Sequence, residues 1–130
     1  MKVNIGNGDI KGYTTADPGL EGVHDGQCVE ILAPNAVNMF HYANIQDVLK
    51  LWHSKLRVGG TLTLGGYDLV EFCKHVIRYA ISKEEKNKII AESGCFFPLD
   101  EISELVQIVG FKILKKQLNG ISYVLELTRE

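Results

Sequence analysis

Three stretches of this chain hold residue types, in an order, that ligand chemistry requires. The first is Gly6-Asn7-Gly8, directly after the β-like run Lys2 to Ile5. Glycine has no Cβ, so a Gly-x-Gly loop at a strand end lets a bulky molecule lie against the backbone. The second is Asp17, placed just before Pro18 at the end of another β-forming run. A carboxylate there can accept two hydroxyl groups from one ligand. The third comprises Asn35 and the pair Tyr67-Asp68, polar groups that each follow an apolar run. Asp68 is suited to act as a base toward a hydroxyl or amine, or to cap the helix that follows it. Plainer readings stand beside each of these: a tight turn, a turn aspartate, a helix cap. A dinucleotide loop fits less well, because GNGDIKG lacks the third glycine at the usual spacing and no crossover helix follows.

The elements that must position these groups can be read from periodicity. Lys2 to Ile5 and Gly12 to Ala16 are short strands, and Pro18 to Gly26 is a Gly-rich loop. Cys28 to Ala33 (CVEILA) is a compact apolar run expected as a buried parallel strand. Ile45, Val48, Leu49, Leu51, Trp52 and Leu56 recur mostly at three- and four-residue steps, one apolar face of a helix. Asn44 is its expected N-cap, Arg57 sits where the dipole favours a cation, and Gly59-Gly60 is its expected stop. Thr61 to Leu64 is the next strand. Helices are expected over 69–81, over the charged and exposed segment 82–93, and over 101–109, capped by Asp100 and closed by Gly110. Two final strands, Lys112 to Gln117 and Ser122 to Thr128, meet at Asn119-Gly120, a strong hairpin signal. This order predicts an α/β sheet, mostly parallel, with an antiparallel C-terminal hairpin. Ligands on such sheets gather at the carboxyl ends of the strands. Gly6-Asn7-Gly8, Asp17, Asn35 and Tyr67-Asp68 should therefore share one edge.

Composition narrows the function classes. The 130 residues suffice for a single domain, at 45% hydrophobic and 23% charged. A formal net charge of -2 gives no bulk attraction to nucleic acid or to an anionic membrane. The basic run Lys112 to Lys116 holds three Lys between apolar residues and reads as a solvated strand face. Cys28, Cys73 and Cys95 match no zinc spacing, and their odd number closes no disulfide framework, so reduced thiols are expected. No stretch has signal-peptide or membrane-spanning character, so a cytoplasmic location is the default expectation.

Taken in order, these segments resemble the SAM (S-adenosylmethionine)-dependent methyltransferases of the Rossmann-like class. VNIGNGD (Val3 to Asp9) is similar to the family's first motif, and GYTTAD (Gly12 to Asp17) to its second strand, which ends in an acid. DGQCVEILA (Asp25 to Ala33) is similar to its fourth strand. IQDVLKLWHSKLRVGGTLTLGGYDL (Ile45 to Leu69) is similar to its helix, Gly-Gly turn and fifth strand, and DEISELVQIVGFKI (Asp100 to Ile113) to its last helix and Gly-Phe step. The closest flavour is a small methyltransferase with a shortened N-terminal half.

The resemblance implies SAM as cofactor. Gly6, Asn7 and Gly8 would lie against its methionine part, Asp17 would hold its ribose, and Asn35 would stand near it. Tyr67 and Asp68 would stand where a methyl acceptor enters, small or polymer-borne. Only Pro18 to His24 separates the second strand from the fourth, so the family's third strand is absent or vestigial. Glu21, His24 and Asp25 are the remaining candidates for adenine. Related small enzymes often carry a Glu-His pair where this chain has Asn38-Met39-Phe40; His41 is the nearest titratable replacement. Two readings follow: a methyltransferase with an unidentified acceptor, or a catalytically inactive relative that binds SAM or a protein partner. A short sheet edge near Gly12 to Ala16 invites pairing, so a homodimer is expected.

Overall fold

A computed structural model describes residues 1–6 and 8–130; Asn7 lies outside the described residues. The strands are β1 (Lys2–Asn4), β2 (Thr14–Thr15), β3 (Cys28–Ala33), β4 (Leu56–Tyr67), β5 (Phe111–Asn119) and β6 (Ser122–Arg129). The helices are α1 (Ile45–Lys55), α2 (Leu69–Ile77), α3 (Lys83–Glu92) and α4 (Leu99–Val109). The strands join in one sheet of order β2-β1-β3-β4-β6-β5. β1 is parallel to both β2 and β3, and β3 is parallel to β4. β6 runs antiparallel to β4 and β5. The Asn119-Gly120 signal holds: the β5–β6 hairpin turns there, with Gly120 left-handed at φ 62°.

Register explains the core. Val3, Ile31, Leu62 and Leu127 fall in one row across four strands. All four are buried, together with Ala33, Leu64 and Leu125 on the same face. Leu49 and Trp52 of α1 and Ile102 and Val106 of α4 complete this core. Trp52 is tied further, its indole Nε1 donating to the Pro18 carbonyl at 2.8 Å. Each large side chain so buried contributes roughly 1.5–3 kcal/mol of transfer free energy.

The opposite face is wet. Its two middle rows read Lys2, Glu30, Thr61, Thr128 and Asn4, Leu32, Thr63, Glu126. Lys2 and Glu126 are exposed, and Glu30, Leu32, Thr61, Thr63 and Thr128 are half-buried. A groove of about 230 Å³ crosses Glu30, Thr61, Thr63 and Glu126. β3, expected as a buried strand, is thus fully buried only on its core side. Parallel sheets are ordinarily covered on both faces.

Local chemistry corrects several boundaries. α1 does not run on to Gly59-Gly60: Leu56 already turns extended, donates its N–H to the Trp52 carbonyl, and starts β4. Both glycines lie inside β4, next to the register shift between Cys28 and Glu30. Gly59 is left-handed at φ 83°, and a Cβ on Gly60 would stand 2.9 Å from the Arg57 carbonyl oxygen. Asn44 precedes α1, but its side chain makes no cap bond; a short 3₁₀ turn, Tyr42–Asn44, leads in instead. Asp100 lies in the first turn of α4 and Pro98 takes the cap position. α2 stops at Ile77. Among the described residues no helix is long and apolar enough to cross a membrane, and no strand lies beyond β2.

Candidate functional site

The carboxyl ends of β1 to β4 lie along one edge, and each is followed by an expected site residue. Beyond β1, Ile5 donates its N–H to the Leu32 carbonyl at 2.8 Å, and the chain then turns through Gly6 (φ 79°) and Gly8 (φ 66°). Both are left-handed, a conformation glycine adopts without strain. The side-chain amide of Asn4, fully buried, donates to the Gly8 carbonyl and pins the loop. Sequence reasoning passed over Asn4. Its signal was an asparagine at the last position of a strand that leads straight into a glycine loop. Asn7 cannot be placed, since it lies outside the described residues.

β2 is held against β1 by the Ala16 N–H donating to the Asn4 carbonyl at 3.0 Å. That bond sets the exposed Asp17 immediately beyond the edge, at the head of a turn closed by Leu20 N–H donating to the Asp17 carbonyl. Asn35 follows β3 and is exposed. Of the adenine candidates, Asp25 stands before β3, at the other end of that strand, where it pairs with Lys55 at 3.0 Å. The neighbouring His24 N–H is satisfied there by Gln27 Oε1.

Between the ends of β3 and β4 and the C-terminal part of α3 lies a cleft of about 240 Å³, lined by Asn35, Asn38, Met39, Tyr67, Glu92 and Ser93 among others. Asn38 is its buried hinge-pin. Its Nδ2 donates to the Cys95 carbonyl and its Oδ1 accepts from the Tyr67 N–H, both at 2.7 Å. Gly66 leaves space for this: a Cβ there would collide with Asn38 Oδ1 and lie 3.1 Å from the Tyr123 hydroxyl. Met39 reaches toward the glycine loop, its Sδ 3.4 Å from where a Gly6 Cβ would stand. Glycine loop and cleft are therefore contiguous.

Asp68, expected as an acceptor contact or a cap, is 4% exposed. Its Oδ2 accepts from the Glu71 N–H and its Oδ1 from the Leu99 N–H, both at 2.7 Å. One carboxylate thus caps α2 and anchors α4, while Tyr67 faces the cleft. Sequence reasoning did not place Ile89, Glu92 or Ser93 at this site, because only tertiary packing brings α3 over it.

The Tyr123 hydroxyl is buried without a hydrogen-bond partner, and burial foremost, then Cys95 and Asp68, pushes its pKa far upward. It stays a neutral phenol. Burial also raises the Cys28 and Cys95 thiols, so both stay protonated. His41 is exposed at the lead-in to the Tyr42–Asn44 turn. His53 packs edge-on against Phe111 at 4.9 Å, away from the cleft. Among the described residues no three His, Cys, Asp or Glu side chains converge to hold a metal.

No family model matches the chain, and no curated protein does. Solved structures do match. A protein from Pyrococcus horikoshii superposes with TM-score 0.67 at 15% identity, covering 91% of this chain and 59% of that one. A SAM-dependent methyltransferase from Thermotoga maritima gives 0.66 at 16%, covering 91% and 63%. The 1,6-didemethyltoxoflavin-N1-methyltransferase of Burkholderia thailandensis, solved with S-adenosylhomocysteine, gives 0.61 at 14%, covering 90% and 50%. The chain has the class I, Rossmann-like methyltransferase fold. It spans about three fifths of the first structures it matches. Within that methyltransferase fold, the glycine loop occupies the end of β1 and the cleft the ends of β3 and β4. At these identities the likeness is one of fold.

Proposed function

We propose that this single domain binds S-adenosylmethionine along the edge from Gly6 to Asp17 and transfers its methyl group to an acceptor in the adjoining cleft. One observation carries this reading: a loop with two left-handed glycines, pinned by buried Asn4, sits beside an exposed carboxylate and opens onto a cleft. The residues fit the cofactor's parts. Gly8 has open space where its Cβ would be, and Asp17 is free to accept ribose hydroxyls. Bound cofactor would supply a methyl group on a positively charged sulfur. The chain's own part is alignment: Asn38 fixes Tyr67, Asp68 fixes the helices behind it, and an in-line displacement needs mainly proximity. The S-adenosylhomocysteine in the Burkholderia enzyme supports the cofactor assignment.

Thermal shift with SAM and S-adenosylhomocysteine tests it. A ligand at about 100 times its Kd stabilises the fold by roughly 2.7 kcal/mol. Gly6→Val and Asp17→Ala should abolish the shift. No shift with the parent protein at millimolar ligand removes the proposal.

A second reading, a non-catalytic domain working through cofactor or protein contacts, is favoured by one feature. Among its described residues the β1–β2 connection carries no helix, so no helix N-terminus meets an anionic part of the cofactor there. Ligand-induced stabilisation without turnover on any acceptor would support it. We further propose pairing of two copies through the exposed edge strand β2; a monomer in sedimentation at high concentration would refute that. Three free thiols fit a reducing, cytoplasmic setting.

A further inference from the structure

We propose that the groove between the end of α2 and the start of α3 docks an acidic peptide segment of a partner protein, with one large apolar side chain as its anchor. This goes beyond the cofactor reading and stands without it. The groove has a volume of about 250 Å³ and is lined by Val76, Tyr79, Ile81, Lys83 and Lys86. It lies apart from the cleft, with which it shares no lining residue.

α2 shows more apolar surface than the fold uses. Phe72 is its one buried residue, stacked on Phe96 with ring centroids 5.2 Å apart. Val70, Cys73 and Ile77, spaced three and four apart, share another side of the helix. All three are exposed, Ile77 at 75%. The helix then ends in a turn where the Tyr79 N–H donates to the Val76 carbonyl and the Ala80 N–H to the His75 carbonyl. That turn puts Tyr79 at φ 56°, a left-handed position that glycine ordinarily fills. Tyr79 is 92% exposed there. The fold gains neither burial nor backbone ease from a tyrosine at this point. Exposed aromatic and apolar groups that form one patch mark interaction surfaces, and aromatic side chains anchor them.

Charge decides the occupant. Lys83 and Lys86 of α3 line the groove, whereas Glu84, Glu85 and Glu92 of the same helix line a different recess, with Lys88 among them. Lys83, Lys86 and Arg78 take no part in the ion pairs of the described residues. No carboxylate lines the groove. A second copy of this chain would therefore set cations against cations across a two-fold axis. A lipid surface would touch Ile77 and Tyr79 but could not follow the groove down to half-buried Val76 and Ile81. A peptide can do both. Its carboxylates meet the lysines, and its anchor side chain fills the space between Val76, Tyr79 and Ile81.

The test uses the intact protein and acetylated, amidated hexapeptides. Calorimetry would compare Asp-Glu-Phe-Leu-Glu-Asp with Lys-Lys-Phe-Leu-Lys-Lys, which reverses the charge, and with Asp-Glu-Ala-Ala-Glu-Asp, which removes the anchor. The acidic, anchored peptide should bind about tenfold tighter than either. Lys83→Gln combined with Lys86→Gln should weaken it about fivefold, the size of two solvent-facing ion pairs, and added salt should act in the same direction. Tyr79→Gly should weaken it about tenfold while raising the melting temperature, because glycine takes the left-handed position without strain. A tyrosine kept only for the fold would not separate those two readouts. Equal affinity for the three peptides, or binding untouched by both sets of variants, overturns the proposal. So does the absence of binding by any peptide. Vesicles of phosphatidylserine and phosphatidylcholine test the rival: binding to them that Tyr79→Gly removes, without binding of the acidic peptide, overturns the proposal and assigns a lipid surface.

Discussion

Replacing Asp68 should destabilise this protein more than its place between a strand and a helix suggests. The backbone of Asp68 is held independently, its N–H donating to the Ile121 carbonyl and its carbonyl accepting from Phe72. A substitution therefore tests the side chain. Its two oxygens accept from Glu71 and Leu99 at 2.7 Å each, from a residue that is 4% exposed. A hydrogen bond to a charged group contributes roughly 1.5–3 kcal/mol. Deleting two gives about 3–6 kcal/mol, and water reaching the Glu71 amide reduces the expectation for Asp68→Ala to about 3–4 kcal/mol. Asp68→Asn keeps one acceptor and turns a donor against the other amide, for a loss of about 2–3 kcal/mol. Asp68→Ser keeps an acceptor for the α2 cap but cannot span to Leu99, so it should fall between Asp68→Ala and the parent. Urea unfolding followed by fluorescence of the single, buried Trp52 reads all three. Losses within about 1 kcal/mol of the parent for both Ala and Asn would refute the reasoning, because a surface cap alone contributes that much.

Three other variants test the surrounding frame. Asn38→Ala leaves the Cys95 carbonyl and the Tyr67 N–H buried without their partner, and should cost about 2–5 kcal/mol by thermal unfolding. Gly65→Ala drives a Cβ into the backbone carbonyl of Pro34, with the Tyr123 carbonyl oxygen 2.7 Å away; loss of the folded state in circular dichroism is expected. His53 has its pKa lowered, first by burial and then by Arg129, against a smaller opposing effect of the Gly110 backbone. The folded state therefore disfavours protonated His53. Stability should fall as pH drops from the ordinary histidine value, about 6.5, toward the lowered one. His53→Gln should flatten that part of the urea-midpoint profile, and an unchanged slope would contradict it.

The sheet was legible because its signals are local. CVEILA gives β3 residue for residue, and Asn119-Gly120 gives the hairpin. The edge of candidate site residues followed from one rule, that parallel strands present their carboxyl ends together. The misreadings have physical causes. Gly59-Gly60 looks like a helix stop, yet the helix yields to a strand at Leu56; inside the bulge Gly59 takes a left-handed turn and Gly60 relieves crowding. The wet face could have been read from Thr61 and Thr63 alternating with Leu62 and Leu64, but Leu32 on that same face disguised it. Asn38 carried no sequence signal as a hinge, since its partners, Tyr67 and Cys95, are distant in the chain. The Gly65-Gly66 pair was the available clue: adjacent glycines in a strand mark a close approach.

The position of β1 in the sheet has a kinetic consequence. It lies between β2 and β3, joined to both only by parallel pairing. Hairpin β5–β6 and its neighbour α4 are contiguous in sequence, so little loop entropy is lost in bringing them together. Capture of β1 needs β3 already in place, and we expect it to come after the folding barrier. The glycine loop exists only once that strand is docked. A cofactor held there should therefore leave the folding rate unchanged and slow unfolding alone, a signature that stopped-flow measurement separates from a ligand acting on the nucleus.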